Sequence, residues 1–331
     1  MKTLTNFLKY SIGKPNTQEF YNTMRRDYIY SRHDIINKIC KLNGFISPKY
    51  NIHTSKGILG ELDNTKVNAI CKQIEKDGFY IFPDLLPSSL VEKMKEFATN
   101  TPINYLVPDE KGITYSKDIV KYGEAKNISN RFQILNISQF KDSPESLQIA
   151  TDSNLLHIAN NYLGSKPTLD LLIFWWSRSL SALDLSQEAK INLKNSSAQM
   201  FHIDMDRLKF LKFFVYLTDV NESNGPHVYV KGTNNKIPSY IKSDGRYTDE
   251  LINSNDKENV LEITGKAGTI MAVDTRGLHK GKELDEGERL IFQIEYVNSM
   301  FGKPETPHVP EKIKYQGEDK FFNTYKYFFK K

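Results

Sequence analysis

The chain has 331 residues, 39% hydrophobic and 12% aromatic, a composition that supports a sizeable folded core and excludes a disordered protein. Its 45 Lys plus Arg against 40 Asp plus Glu leave a net charge of +5 spread along the chain, with no basic block of the kind that marks a nucleic-acid module. Two cysteines, Cys40 and Cys71, far apart and outside any CxxC spacing, exclude a disulfide framework and a zinc-cysteine site.

Residues 1–62 are polar, with scattered aromatics and helix-like spacing around Arg32 to Leu42, and read as a helical N-terminal extension. Met1 to Leu8 lacks the apolar core of a leader. The longest apolar run, Leu171 to Trp176, is far too short to span a bilayer, so a cytoplasmic protein without a membrane span is expected. Val67, Ile70, Cys71 and Ile74 fall at helical spacing before Gly78, predicting a helix over 64–76. Phe79 to Phe82 reads as a strand, and Pro87 opens a second helix that Ser88 or Ser89 can cap. Thr101 to Asn130 reads as loop-rich, Arg131 to Leu135 as a strand, and Gln148 to Leu163 as an amphipathic helix closed by Gly164. Thr168 to Ser177 is β-rich, and the polar stretch Ser179 to Ser197 reads as an irregular insertion or lid.

From Gln199 onward the pattern is one of short strands: Phe210 to Thr218, Val228 to Val230, Ala267 to Val273 and Arg289 to Val297, separated by turns, with Lys236 to Lys257 as polar loop. Such a run indicates a β-sandwich or barrel. The expected architecture is mainly β with α: a double-stranded β-helix (jelly roll, cupin-like) core over 63–300 with buttressing helices, and a tail over 301–331 packed on it.

Within this half, Gln199-Met200-Phe201-His202-Ile203-Asp204 places an imidazole and a carboxylate two residues apart, on one face of an extended chain. A second histidine completes the two-His, one-carboxylate triad that holds non-haem Fe(II) with positions open for oxidant and co-substrate. His279, separated from Asp204 by 74 residues and just after a strand, is the candidate. Ten residues further, Arg289 heads an apolar strand, where a buried guanidinium needs an acidic partner.

These segments resemble the phytanoyl-CoA dioxygenase family of Fe(II)- and 2-oxoglutarate-dependent oxygenases. The resemblance lies in QMFHID at 199–204, FFVYLTDVNESNGPHVYVKGTNN at 213–235 and AGTIMAVDTRGLHKGKELDEGERLIFQIEY at 267–296. It extends more weakly to DGFYIFPDLLPSSLVEKM at 77–94, and so covers about residues 65–300. It implies that His202, Asp204 and His279 hold Fe(II) and that Arg289 pairs with the far carboxylate of the co-substrate 2-oxoglutarate. The reaction it implies consumes O2, releases succinate and CO2, and hydroxylates a C–H bond of a small molecule. Asp204 argues against a halogenase, in which a small residue replaces that carboxylate.

The chain departs from the family at Lys231-Gly232-Thr233-Asn234, where Pro-Gly-Ser-His is usual. It departs again at Gly281, two residues after the distal His, where a hydroxyl residue is often found. Both departures bear on co-substrate contacts rather than on iron ligands. Desaturation or epimerisation by the same chemistry, and a non-catalytic jelly-roll module with a relict metal site, are the alternatives. The remaining histidines, His33, His53, His157, His227 and His308, read as structural or surface residues. Arg207 and Lys212 read as solvated charges, and at least one of Trp175 and Trp176 as core. The substrate and the oligomeric state are not legible.

Overall fold

The computed structural model describes residues 2–109, 112–116, 119–125, 129–306, 309 and 311–331. Three helices, α1 (Lys2–Ser11), α2 (Gln18–Tyr30) and α3 (Asp34–Ile46), are followed by a hairpin of β1 (Thr54–Gly57) and β2 (Gly60–Asp63). In α4 (Asn64–Asp77) the carboxylate of Asp63 accepts from the Lys66 amide at 2.8 Å, and Gly78 at φ 93° ends the helix. After β3 (Phe79–Ile81), α5 (Ser88–Asn100) starts with Pro87 at its cap position, and neither Ser88 nor Ser89 caps it.

The stretch from 101 to 130, expected as loop, contributes β4 (Asn104–Asp109), β5 (Gly112–Tyr115) and α6 (Tyr122–Ala125) ahead of β6 (Arg131–Ile134). Where one amphipathic helix was expected there are two, α7 (Pro144–Ala150) and α8 (Ser153–Leu163). Asp152 divides them because its side chain caps the amides of Asn154 and Leu155. After β7 (Thr168–Arg178), the polar stretch contains a helix, α9 (Gln187–Ser196), rather than being wholly irregular. Leu193 from it packs with Leu180, Leu183 and Leu106, apolar residues too sparse to show a period in sequence. Next come β8 (Phe210–Tyr216), β9 (His227–Val230), α10 (Asp249–Asp256) within the expected loop, β10 (Val260–Ile263), β11 (Ile270–Val273), β12 (His279–Gly281) and β13 (Glu288–Val297). The tail, with β14 (Ile313–Lys314), α11 (Phe322–Tyr325) and β15 (Phe329–Lys330), buries Phe321, Tyr325, Phe328 and Phe329 in the main core.

Two sheets face each other, as a jelly roll requires. The larger runs β3-β11-β8-β13-β7-β6-β4-β5, and the smaller runs β10-β9-β12. The smaller sheet is continued by bridges from His279 to His202 and from Phe201 to Tyr247. Strand alternation sorts the side chains. On β13, Leu290, Phe292, Ile294 and Tyr296 join the core under α4, α5, α7 and α8, while Arg289, Ile291, Gln293 and Glu295 point between the sheets. Each fully buried Leu, Ile or Phe contributes about 1.5–3 kcal/mol, so the outer core holds the inward row in register.

The smaller sheet is sided in the same way. Phe201, Ile203, Val228, Val230 and Leu278 share a core with Phe7, Met24, Tyr28, Ile36 and Ile39 of α1–α3. The alternate residues His202, Asp204, His227, Tyr229 and His279 therefore face inward. The N-terminal helices pack on the back of the sheet that bears the candidate ligands. No helix of the described residues is long and apolar enough to cross a membrane.

Candidate metal centre

His202 and His279 are a directly opposed backbone pair: the His202 amide donates to the His279 carbonyl at 2.9 Å and the reverse bond is 3.0 Å. Asp204, two residues on, donates its amide to the Thr275 carbonyl at 2.9 Å. One ligand atom from each of His202, Asp204 and His279 falls within 4.8 Å of the others. Nδ1 of His202 lies 2.9 Å from the Met200 carbonyl, and Nδ1 of His279 lies 2.9 Å from the Gly277 carbonyl. A carbonyl only accepts, so each Nδ1 carries the proton and each Nε2 keeps its lone pair. Those lone pairs face the Asp204 carboxylate, Nε2 of His202 at 3.5 Å from Oδ1 and Nε2 of His279 at 3.4 Å from Oδ2. Two lone pairs and an anion converging on one point are satisfied by a cation, and this donor set fits Fe(II). Burial, reinforced by His279, keeps the pKa of His202 well below its ordinary value, so it is neutral and ready to ligate.

Lys212 and Glu295 lie next to the triad. Lys212, expected to be solvated, is buried on β8, with Nζ 2.6 Å from Asp204 Oδ2 and 3.3 Å from Glu295 Oε2. Burial alone pushes the Asp204 carboxyl up; Lys212 and the two imidazoles overcome it and hold the group well below its usual range. Arg246, one residue before Tyr247 and so opposite His202 in the bridge register, is exposed at the rim.

Arg289 is 4% exposed. Its Nε and Nη1 have no hydrogen-bond partner among the described residues, and Nη2 makes only a 3.4 Å contact with the Ser177 hydroxyl. Burial pushes this guanidinium down to about 10, with Arg131 acting in the same direction. Arg131 reaches the same Ser177 hydroxyl at 3.4 Å from the neighbouring strand and stacks 3.9 Å over Trp175, whose Nε1 donates to Gln293 at 3.0 Å. Leaving a buried charged donor unpaired costs more than the ~1–3 kcal/mol of a neutral one. A buried planar fork with two nitrogens left without partners among the described residues suits a carboxylate.

Beside the pocket, Asp274 and Arg276 of the β11–β12 turn form a buried pair at 2.7 Å. Arg276 Nη1 also donates to the Leu208 carbonyl at 3.4 Å. The Tyr162 hydroxyl donates to the Asp274 carboxylate, the Tyr229 hydroxyl to the Asp274 carbonyl and the Tyr28 hydroxyl to the Arg276 carbonyl. This network clamps α2, α8 and β9 to the turn that delivers His279. Gly277 within it is required: a Cβ there would sit 2.1 Å from the Tyr229 hydroxyl. Thr233, at the first departure from the family pattern, accepts from the Leu278 amide at 2.8 Å and steadies the same turn.

The sequence profile of the Phytanoyl-CoA dioxygenase (PhyH) family matches residues 74–284, well over half of the chain. The chain belongs to that family. The PhyH match includes His202, Asp204 and His279 and ends before Arg289, and membership makes the chain an oxidoreductase. No curated protein matches it in sequence. Among solved structures it is similar to HygX from Streptomyces hygroscopicus with nickel and 2-oxoglutarate bound (15% identity, 73% of this chain and 89% of that one, TM-score 0.47). It is also similar to the epimerase SnoN from nogalamycin biosynthesis in complex with Fe3+, alpha ketoglutarate and nogalamycin RO (16%, 71% and 84%, 0.47). A third is EctD from S. alaskensis with bound Fe (14%, 78% and 86%, 0.47). These likenesses are distant, and the family assignment rests on the profile.

The other candidates of this PhyH chain divide plainly. His227, read as structural or surface, is buried between the sheets beside His279. His157 is held between Ser55 and Asn64, His33 stacks on Tyr28 at 4.2 Å, His53 is exposed, and His308 lies outside the described residues. Arg207 is a buried structural cation paired with Asp170 at 2.7 Å, not a solvated one. Trp176 is core, and Trp175 is half-buried on the opposite face of β7, packed against the cluster of Phe214, Tyr216 and Ile291. Sequence reading missed Lys212, Glu295 and Arg131 as site residues. Part of the clue was strand period: in β13 Arg289 and Glu295 sit on the alternation opposite to Leu290, Phe292, Ile294 and Tyr296, whereas in β8 Lys212 shares its face with Phe210, Phe214 and Tyr216 and gives no such signal.

Proposed function

We propose that this chain is an Fe(II)- and 2-oxoglutarate-dependent oxygenase that hydroxylates a C–H bond of a small molecule, with succinate and CO2 as co-products. The observation that carries the reading is the convergence of His202, Asp204 and His279 within 4.8 Å, both imidazoles presenting Nε2 to the carboxylate. In this reading these three residues hold the metal, which supplies oxygen activation when bound. Arg289 takes the far carboxylate of 2-oxoglutarate through its free donors. Lys212 keeps Asp204 ionised and oriented, and Ile291, Phe214 and Trp175 give the pocket dry walls that exclude water from the reacting centre. Domain roles follow: α1–α3 brace the ligand-bearing sheet, and the body from 63 to 300 carries the chemistry.

The test is anaerobic addition of Fe(II) and then 2-oxoglutarate, followed by exposure to O2. The expected result is a visible metal-to-ligand charge-transfer band and slow release of succinate even without the substrate. A chain that binds neither Fe(II) nor 2-oxoglutarate ends this reading. Product analysis with a turned-over substrate then separates hydroxylation from desaturation or epimerisation.

A further inference from the structure

His227 is 7% exposed, and its Nε2 has no hydrogen-bond partner among the described residues. Its backbone is fixed: the His227 amide donates to the Tyr216 hydroxyl at 3.1 Å, and that hydroxyl donates to the Ile263 carbonyl at 2.7 Å. In the β9–β12 ladder His227 stands directly opposite Gly281, and residues so paired present their side chains on the same face. Gly281 has no side chain to present. A Cβ built on it lies 3.3 Å from Nη2 of Arg289, so the face shared by His227 and Gly281 is the one that opens on the guanidinium. The His227 ring lies 5.5 Å from that of His279 and 5.3 Å from that of Phe214, which places it beside a candidate metal ligand, on the face that Gly281 opens toward Arg289.

We propose that His227 is a co-substrate-positioning residue, its Nε2–H donating to the carboxylate end of 2-oxoglutarate from the position that Gly281 leaves bare. The inference rests on the function proposed above. A buried polar nitrogen on a rigid strand needs an acceptor, and a dicarboxylate lying between His279 and Arg289 brings one. Gly281 and His227 then act as a pair: the glycine makes room, and the histidine across the ladder supplies the donor.

The experiment is anaerobic titration of 2-oxoglutarate into Fe(II)-loaded protein, followed by the charge-transfer band, with iron affinity and thermal unfolding measured alongside. His227→Leu is expected to weaken 2-oxoglutarate binding about tenfold to a hundredfold, the loss of one hydrogen bond to a charged group. Iron affinity is expected to stay unchanged. His227→Gln, which keeps a donor, is expected to recover part of the loss. Gly281→Ser in the His227→Leu background is expected to recover part as well, by placing a hydroxyl beside Arg289. His227→Phe is a second donor-free variant in case His227→Leu folds poorly. Unchanged 2-oxoglutarate affinity in either donor-free variant overturns the inference. So does an equal fall in iron affinity, or a loss that neither His227→Gln nor Gly281→Ser relieves. A wild-type chain that binds Fe(II) and 2-oxoglutarate while His227→Leu binds both equally well defeats only this inference; a wild type that binds neither defeats the proposed function with it.

Discussion

Arg276 and Arg289 lie thirteen residues apart and both are buried, yet their surroundings are opposite. Arg276 spends its donors on protein: two nitrogens on the Asp274 carboxylate and one on the Leu208 carbonyl, with its own carbonyl receiving the Tyr28 hydroxyl. Arg289 leaves Nε and Nη1 without partners among the described residues. The difference separates a charge built into the fold from one held for a ligand. A buried ion is tolerated when its hydrogen bonds are made, and an incompletely paired one persists only where the rest of the fold over-determines it. Around Arg289 that support comes from β13 and β7, whose outward residues Leu290, Phe292, Phe174 and Trp176 lock the strands from the other side.

The comparison is broken most directly at Arg276. Arg276→Met strands the Asp274 carboxylate in the core, and losing one partner of a buried pair costs about 3–5 kcal/mol. The melting temperature is expected to fall on the order of 10 °C in a calorimetric scan. An unchanged melt would show that the pair is dispensable.

Next in size is Arg289→Met, for which the melt is expected to hold or rise while 2-oxoglutarate affinity drops about a hundredfold, worth about 3 kcal/mol. Iron affinity is expected to hold, as read by anaerobic titration. Equal loss of iron and 2-oxoglutarate would instead make Arg289 a second Arg276.

The smallest effect is read as a slope against pH. Burial pushes the Asp274 carboxyl up, but Arg276 and Tyr162 pull harder and leave it below the ordinary 3.8. A carboxyl depressed in the folded state contributes stability above the unfolded value, and that contribution is lost as pH falls through the folded one. Denaturant midpoints of the wild type should therefore decline from about pH 4 downward. In Asp274→Asn this acid step should be shallower, from a lower starting stability; an identical slope would remove Asp274 from the account.

Much of this molecule was legible before any coordinates. His202 and Asp204 could be read as sharing a face because extended chain alternates with period two, with Phe201 and Ile203 on the other. Short β-rich runs with glycine turns marked the jelly roll, and α4 was readable from Val67, Ile70, Cys71 and Ile74. By contrast α9 and α10 were not, because their few apolar contacts, such as Leu193 and Ile252, do not establish a helical period by themselves.

What only the tertiary structure decided is which charged and polar residues go unpaired. Lys212, Arg207, Arg276 and Arg289 are four cations in β-rich sequence; Arg289 stood out there, at the head of an apolar strand ten residues after His279, but nothing in the sequence showed what pairs with the other three. Their roles separate by what faces them in the fold: Asp204 and Glu295 for Lys212, Asp170 for Arg207, Asp274 for Arg276, and, for Arg289, two nitrogens without a partner among the described residues. His227 is the same case, a turn histidine in the sequence and a donor opposite Gly281 in the ladder. Alternation along a strand is a local property of the chain, so sequence carries it. The partner of a buried polar group is set by register between strands distant in sequence, and that register exists only once the sheets have closed on one another.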